Sequence, residues 1–368
     1  MSVSNLDNLA RHRELDPGLM HDLIAVFPAH LKASLQLQSG IDWSAQKPTT
    51  PQGVCICGMG GSAIGGDLAR LYWEPQSPMP IVVVRNHRLP TFINDHWFVI
   101  ASSYSGNTEE VLAAVSEAAQ RGCRRVLALA SEGRLATMAA ENHWPLIHLP
   151  GGLMPRAALG YSFGAVMMAL AQWGIAGNNP AMLVANLTEE LQAAADFLAS
   201  RVALLDRANP EATNPAKKAA ARIGGRIVSV LGASGTTDVI AARIKSQLCE
   251  NGKALAFANS FPEVTHNEIV GVADLANASD RLAIILLSTA DDNPGVSAQQ
   301  AAFKRIISNL GVPLIHLAGE GTTRLERILS LVQMGDFISY HLAILNGHNP
   351  TPIAAIDALK KALAAKAQ

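Results

Sequence analysis

Hydroxyl side chains crowd one short stretch, SSYSGNTEE (102–110), where Ser103, Ser105 and Thr108 surround Gly106. A run that reads as a strand precedes it, and a run that reads as a helix follows. A second stretch, CGMGGSAIGGD (57–67), places Gly61 and Ser62 between the apolar GVCIC and the helix-like LARLYW. A strand, a turn and a helix in that order aim unpaired N–H groups and the positive end of a helix dipole at one spot, and glycine lets the backbone approach it closely. Hydroxyls converging from two such loops suit one compact monophosphate better than a pyrophosphate. GMGGSA (58–63) does fit the dinucleotide fingerprint G-x-G-x-x-G/A, but the second strand ends in Arg85, where an acidic residue would hold a ribose. Arg85 argues at most for a 2′-phosphate. Plain N-capping is the competing reading of 102–110. Ser62, arriving from the neighbouring loop, weighs against it.

Further along, isolated groups suit proton transfer. Glu250 ends the helix-like VIAARIKSQLCE, and His266 lies in the irregular PEVTHNEIVG between Glu263 and Glu268. A carboxylate can serve as a base, and imidazole titrates near neutrality and can protonate an oxygen. Arg156, in PRAALGYSFG, carries a charge that does not titrate, which suits an electrostatic helper and not a proton carrier. Lys360 and Lys361 edge an apolar stripe of Ile353, Ile356, Leu359 and Leu363, and Thr351 precedes it in NPTP. Each has a bland alternative: a solvent-facing helix terminus for Glu250 and Arg156, a loop hydrogen bond for His266, a polar helix edge for the lysines. The residues alone do not choose among Glu250, Glu263 and Glu268. His341 and His348 have no carboxylate or cysteine cluster beside them, and CxC at Cys55 and Cys57 lacks a second pair, so no metal is expected.

Such residues need elements that bring loops together at strand ends. Apolar runs predict strands at 53–57, 81–85, 97–102, 124–130 and 145–149, with a helix at 108–121. After a mostly helical stretch at 162–221 the alternation restarts, with strands at 225–232, 282–288 and 313–317. This order predicts parallel sheets covered on both faces, in two copies of one architecture. The expected fold is α/β: two doubly wound, flavodoxin-like domains with helical N- and C-terminal extensions. The expected divisions are 1–48, 49–175, 176–222, 223–330 and 331–368. In the second copy LGASGTTD (231–238) resembles the first glycine loop. No SxSGxT follows the strand at 282–288, however, and Asp291 and Asp292 stand where an anion would be repelled. One phosphate site per chain is therefore expected, with the second half supplying acid–base residues.

The chain has 368 residues and a formal net charge of −1, with no long basic run, so neither nucleic acid nor a membrane surface gains an electrostatic hold. No apolar run reaches the ~18 residues of a bilayer span. The first residues lack the apolar core of a signal peptide, and a cytoplasmic location is expected.

The two loops together resemble the first half of a sugar isomerase (SIS) domain. PRAALGYSFG (155–164), CENGKALAFANSFPEVTHNEIVG (249–271) and NPTPIAAIDALKKAL (349–363) resemble a narrower family, the bifunctional phosphoglucose/phosphomannose isomerases. That resemblance implies an isomerase, an intramolecular oxidoreductase that interconverts glucose 6-phosphate and mannose 6-phosphate with fructose 6-phosphate through a cis-enediol, without a cofactor. It implies phosphate binding by Gly61, Ser62, Ser103, Ser105 and Thr108, and proton transfer by Glu250. It further implies ring opening by His266 with Lys360, enediolate stabilisation by Arg156 and sugar positioning by Thr351. It also implies a homodimer with the active site at its interface and His266 contributed by the partner. The alternatives are an isomerase of another sugar phosphate or an SIS-domain sugar-phosphate sensor, although neither a helix-turn-helix nor a basic face is evident. An NADP-dependent oxidoreductase rests on GMGGSA and Arg85 alone.

Overall fold

The structure, a computed structural model, describes residues 5–43, 51–177, 179–274 and 278–366. The expected boundary at 48/49 lies outside the described residues. The chain begins with α1 (Leu9–Leu15), α2 (Met20–Ala25) and α3 (Phe27–Ser34). Next come β1 (Gly53–Gly58), α4 (Gly60–Trp73), β2 (Ile81–Val84), β3 (Trp97–Ser102), α5 (Glu109–Gln120), β4 (Arg125–Ala130), α6 (Arg134–Glu141) and β5 (Leu146–His148). Helices α7 (Leu159–Gln172), α8 (Pro180–Leu205) and α9 (Pro215–Ile223) follow. The alternation resumes with β6 (Ile227–Ala233), α10 (Asp238–Glu250), β7 (Ala256–Phe261), α11 (Glu268–Asp274), α12 (Ala278–Arg281), β8 (Leu282–Ser288), α13 (Pro294–Ser308) and β9 (Leu314–Ala318). Helices α14 (Arg324–Leu345) and α15 (Ala354–Lys366) close it. Two compact units result: Val26–Ser200 with Glu320–Leu329, and Met1–Ala25 with Arg201–Gly319 and Ser330–Gln368.

The unit around residues 26–200 contains a five-stranded parallel sheet in the order β2-β1-β3-β4-β5. Every residue of β1 and β3 is buried, which explains why GVCICG and WFVIAS read as unbroken apolar runs and not as alternating ones. Cys55 and Cys57 serve as small core residues, their sulfurs 3.8 Å apart, and the Cys55 thiol and burial together push the Cys57 thiol up. Parallel neighbours need long crossovers, and α4, α5 and α6 supply them. The chain leaves β1 for β2 on one side and returns to β3 on the other, so the order reverses between β1 and β3. At such a switch point the loops diverge and open a crevice at the strands' carboxyl ends. The glycine loop follows β1 and the hydroxyl loop follows β3, so both border that crevice.

The other unit repeats the plan with four parallel strands, β7-β6-β8-β9. The α/β, doubly wound, flavodoxin-like fold read from the sequence is the fold observed. Strand β7 is the one the sequence reading omits. Of its residues, AFANSF, only Ala256 and Phe261 are buried, because it lies at the sheet edge and carries no apolar signature.

Helix α10 is fixed to α14 by polar groups at Arg243 and at its C-cap, Asn251. Arg243 holds Asp336 through two bonds, Nη2–Oδ2 at 2.9 Å and Nε–Oδ1 at 3.2 Å, and Asn251 Nδ2 donates to Ser339 Oγ at 3.1 Å. Gly335 lets the helices touch, since a Cβ there would stand 2.3 Å from Ile244 Cγ1. Helix α14 has the length and apolarity of a membrane span without being an unbroken apolar run. Buried over 94% of its apolar window, it is a core helix.

Candidate active site

The crevice at β1 and β3 gathers the hydroxyls. Ser62 stands in the first turn of α4, 7% exposed, and its Oγ accepts the N–H of Tyr104 at 3.3 Å. Ser103, 1% exposed, has its Oγ 2.8 Å from Thr108 Oγ1. Thr108 occupies the N-cap position of α5, yet its side chain makes no capping bond. Its hydroxyl meets Ser103 instead, which counts against plain capping. Ser105 is exposed at the rim, where its Oγ accepts the N–H of Asn107 at 3.3 Å. Gly106 has φ +67°, and a Cβ there would lie 1.7 Å from the Glu132 carbonyl, so the loop admits only glycine. Gly61 lies directly under the short 3-10 turn Pro155–Ala157. A Cβ on it would stand 3.0 Å from the Pro155 oxygen and 3.6 Å from Arg156 Cα. Arg156 is 4% exposed. The fold thus brings together Gly61, Ser62, Ser103, Thr108 and the backbone of Arg156, with Ser105 at the edge. Two helix starts and three hydroxyls beside this turn form an arrangement that attracts a small anion. Arg85 is ion-paired with Asp67, so the residue that argued for a 2′-phosphate already has a carboxylate partner.

The acid–base candidates belong to the other unit. Glu250 is the last residue of α10 and is half-buried. Its rivals are both exposed and both hold an asparagine amide: Asn267 Nδ2 donates to Glu263 Oε1 at 2.6 Å, and Asn259 Nδ2 donates to Glu268 Oε1 at 2.7 Å. His266 ends a 3-10 turn, Glu263–His266, and is exposed. Thr351 receives its loop geometry from Asn349, whose Oδ1 accepts the Thr351 N–H at 2.9 Å. The threonine side chain abuts Gly18, where a Cβ would stand 2.4 Å from Oγ1. Lys360 lies on α15, whose residues 354–363 are all exposed.

Residues 212–363 match the family model described as the bacterial phospho-glucose isomerase C-terminal SIS domain. A bifunctional phosphoglucose/phosphomannose isomerase of Caldicellulosiruptor bescii is 35% identical over 311 residues, covering 84% of this chain and 89% of that protein. The chain belongs to the bifunctional phosphoglucose/phosphomannose isomerase family. A second member, from Aquifex aeolicus, is 33% identical over 86% of this chain and 92% of its own length. Among solved structures, the C-terminal domain of glucosamine-fructose-6-phosphate aminotransferase from Francisella tularensis matches with a TM-score of 0.71. That match covers 90% of this chain and 97% of the other at 14% identity, a likeness of fold alone.

Within this family member, sequence reasoning passes over two side chains that build the site. Tyr104 donates its hydroxyl to Pro150 O at 2.7 Å and accepts Leu153 N–H at 3.0 Å, tying the hydroxyl loop to the segment that leads to Arg156. Asn107 Oδ1 accepts Arg134 N–H at 3.1 Å and so satisfies a donor of the first turn of α6 from 27 residues away, which no local signature announces. In the second copy Asp292, which the sequence marks as repelling an anion, meets the corresponding donors. Its carboxylate, 9% exposed, accepts the Thr236 hydroxyl and, at 3.0 Å, the Thr289 N–H. These donors lie at the carboxyl ends of β6 and β8, the counterparts of those around Ser62 and Ser103, and the chain's own anion takes them.

Proposed function

We propose that the protein interconverts glucose 6-phosphate and mannose 6-phosphate with fructose 6-phosphate. The observation that carries the reading is the activity in the names of relatives 35% and 33% identical over most of the chain. The crevice lined by the hydroxyls of Ser62, Ser103 and Thr108 supports it. In the proposed reaction the 6-phosphate is held by Gly61, Ser62, Ser103, Ser105 and Thr108. His266 and Lys360 move the proton that opens the pyranose ring. Glu250 then takes the C2 proton of the open-chain aldose while the C1 oxygen gains a proton, giving a cis-enediol. Return of a proton to C1 and loss of one from the C2 oxygen leave the ketose, so atoms balance and no external oxidant or reductant takes part. Positioned acid–base groups contribute roughly 10²–10⁴-fold to such a step. Arg156 lowers the energy of the developing oxyanion by its fixed charge, and Thr351 positions the sugar. An enediol has no stereocentre at C2, so one intermediate serves both aldoses. The active form proposed is a homodimer in which His266 completes the partner's site.

Incubating the protein with fructose 6-phosphate and detecting glucose 6-phosphate and mannose 6-phosphate in separate coupled assays tests this. Both products are expected, and a well-folded protein that forms neither overturns the reading.

A further inference from the structure

The three N–H donors of one ammonium meet three backbone carbonyls in the unit that carries Glu250. Lys253 Nζ donates to the carbonyl oxygens of Glu250, Pro350 (3.3 Å) and Pro352 (2.7 Å). A lysine ammonium has three donors and no acceptor, so its capacity is filled. The three carbonyls come from the last turn of α10 and from the segment just before α15. Pro350 and Pro352 alternate with Asn349 and Thr351, and proline both lacks an N–H and drives the preceding residue into extended conformations. A lysine near a helix C-terminus often bonds its last carbonyls. Bonds to two proline carbonyls 97 and 99 residues away go beyond that habit.

The backbone around Lys253 is built for this reach. Its φ is +52°, a left-handed value that non-glycine residues seldom take. Gly252, just before it, is wedged between α10 and α14: a Cβ there would lie 2.8 Å from Leu248 O and 3.3 Å from Leu342 Cδ2. Ala254 N–H returns to Leu248 O at 3.1 Å, closing the turn. With α10 already fixed to α14 through Arg243 and Asn251, the turn presents the ammonium from a rigid base. On the other side, α15 starts at Ala354, directly after the clamped segment, and its described residues are exposed as far as 363. The start of that helix is therefore set by the segment that precedes it.

We propose that Lys253 is a positioning residue of the isomerase: its ammonium ties the end of α10 to the 350–352 segment and so fixes Glu250 relative to the helix bearing Lys360. The proposal rests on the isomerase reading given above. Full-length Lys253→Met and Lys253→Arg test it, with kcat and KM for fructose 6-phosphate and amide hydrogen exchange across 349–356 as readouts. Misplacing a catalytic group by about 1 Å costs up to about a hundredfold in rate, so Lys253→Met is expected to lose about tenfold to a hundredfold in kcat. KM should change less than kcat, because the phosphate residues belong to the other unit and only Thr351, in the clamped segment, positions the sugar. Exchange at Thr351 and Ile353 should quicken, and Lys253→Arg, which keeps charge and donors, should recover part of the lost kcat. A folded Lys253→Met with wild-type kcat overturns the proposal, as does unchanged exchange in the segment. If Lys253→Met does not fold, Lys253→Gln, which loses the charge and the third donor, decides by the same two readouts: quickened exchange with reduced kcat supports the clamp, and wild-type values of either overturn it. A wild-type protein inactive on both sugar phosphates overturns the isomerase reading instead, and exchange still decides whether the clamp exists.

Discussion

Ser103 and Ser105 carry the same hydroxyl two residues apart, and the fold treats them differently. Ser103 is buried and already oriented by Thr108, whereas Ser105 is exposed and bonded only to a neighbouring amide. A hydrogen bond to a charged oxygen contributes about 1.5–3 kcal/mol, roughly tenfold to a hundredfold in affinity. Ser103→Ala is therefore expected at the upper end of that range in KM for fructose 6-phosphate, and Ser105→Ala at or below the lower end. Steady-state kinetics on the two variants settle the order, and a larger effect at Ser105 would contradict the preorganisation argued here. Both residues were legible in the sequence because their loop is local: hydroxyls, glycine and helix start lie within nine residues of chain. The bonds of Tyr104 and of Asp292, the latter read from the sequence only as a charge that repels an anion, were not. Their partners, Pro150 and Leu153 for one and Thr236 for the other, lie 46 to 56 residues away, and only the folded sheet reveals them.

Elements with an apolar signature appear where the sequence puts them, to within two residues; β7 and the seating of the N-terminal helices do not follow from any such signature. Helix α1 is held by a buried imidazole. His12 Nε2–H donates to Leu6 O at 2.9 Å, which leaves Nδ1 to accept the Tyr340 hydroxyl at 2.9 Å. His341, which the sequence offers only as a metal ligand to be rejected, lies in the same cluster and donates from Nε2 to Leu205 O at 3.0 Å. Both rings serve as neutral groups. Burial, aided by the nearby Lys217, His21 and Arg207 charges, holds His12 down at about 4 against an ordinary 6.5. Burial likewise holds His341 well below its ordinary value. With the folded value depressed, the unfolded chain takes up the proton first as pH falls. The associated stability is complete above the ordinary value and is lost between about pH 6.5 and about pH 4. Urea unfolding should therefore show a lower free energy at pH 5 than at pH 7. His12→Gln, which keeps a donor and an acceptor but does not titrate, should show a shallower slope over that range. An identical slope in the variant would remove His12 from the account.

Helix α15 and the edge strand β7 leave apolar side chains exposed. On α15, Ile356, Leu359 and Leu363 are 39%, 60% and 58% exposed, and beside β7 and on it Leu255 and Phe257 are 56% and 59% exposed. An exposed edge strand and an uncovered helix stripe both call for a cover. In the proposed homodimer that cover is the second chain, and its consequence for the chemistry can be measured. Glu250→Gln removes the proposed base, and His266→Ala removes the proposed ring-opening acid. Each homodimer should then be nearly inactive for a different reason. A heterodimer of the two variants has one site with both defects and one with neither, provided that a site takes Glu250 from one chain and His266 from its partner. Co-expression with two different tags, followed by sequential purification on both, isolates that species. Counting one intact site of two, with independent sites, about half the wild-type activity should return. If both residues act from one chain, every site in the heterodimer keeps one defect, and the purified species stays as inactive as its parents.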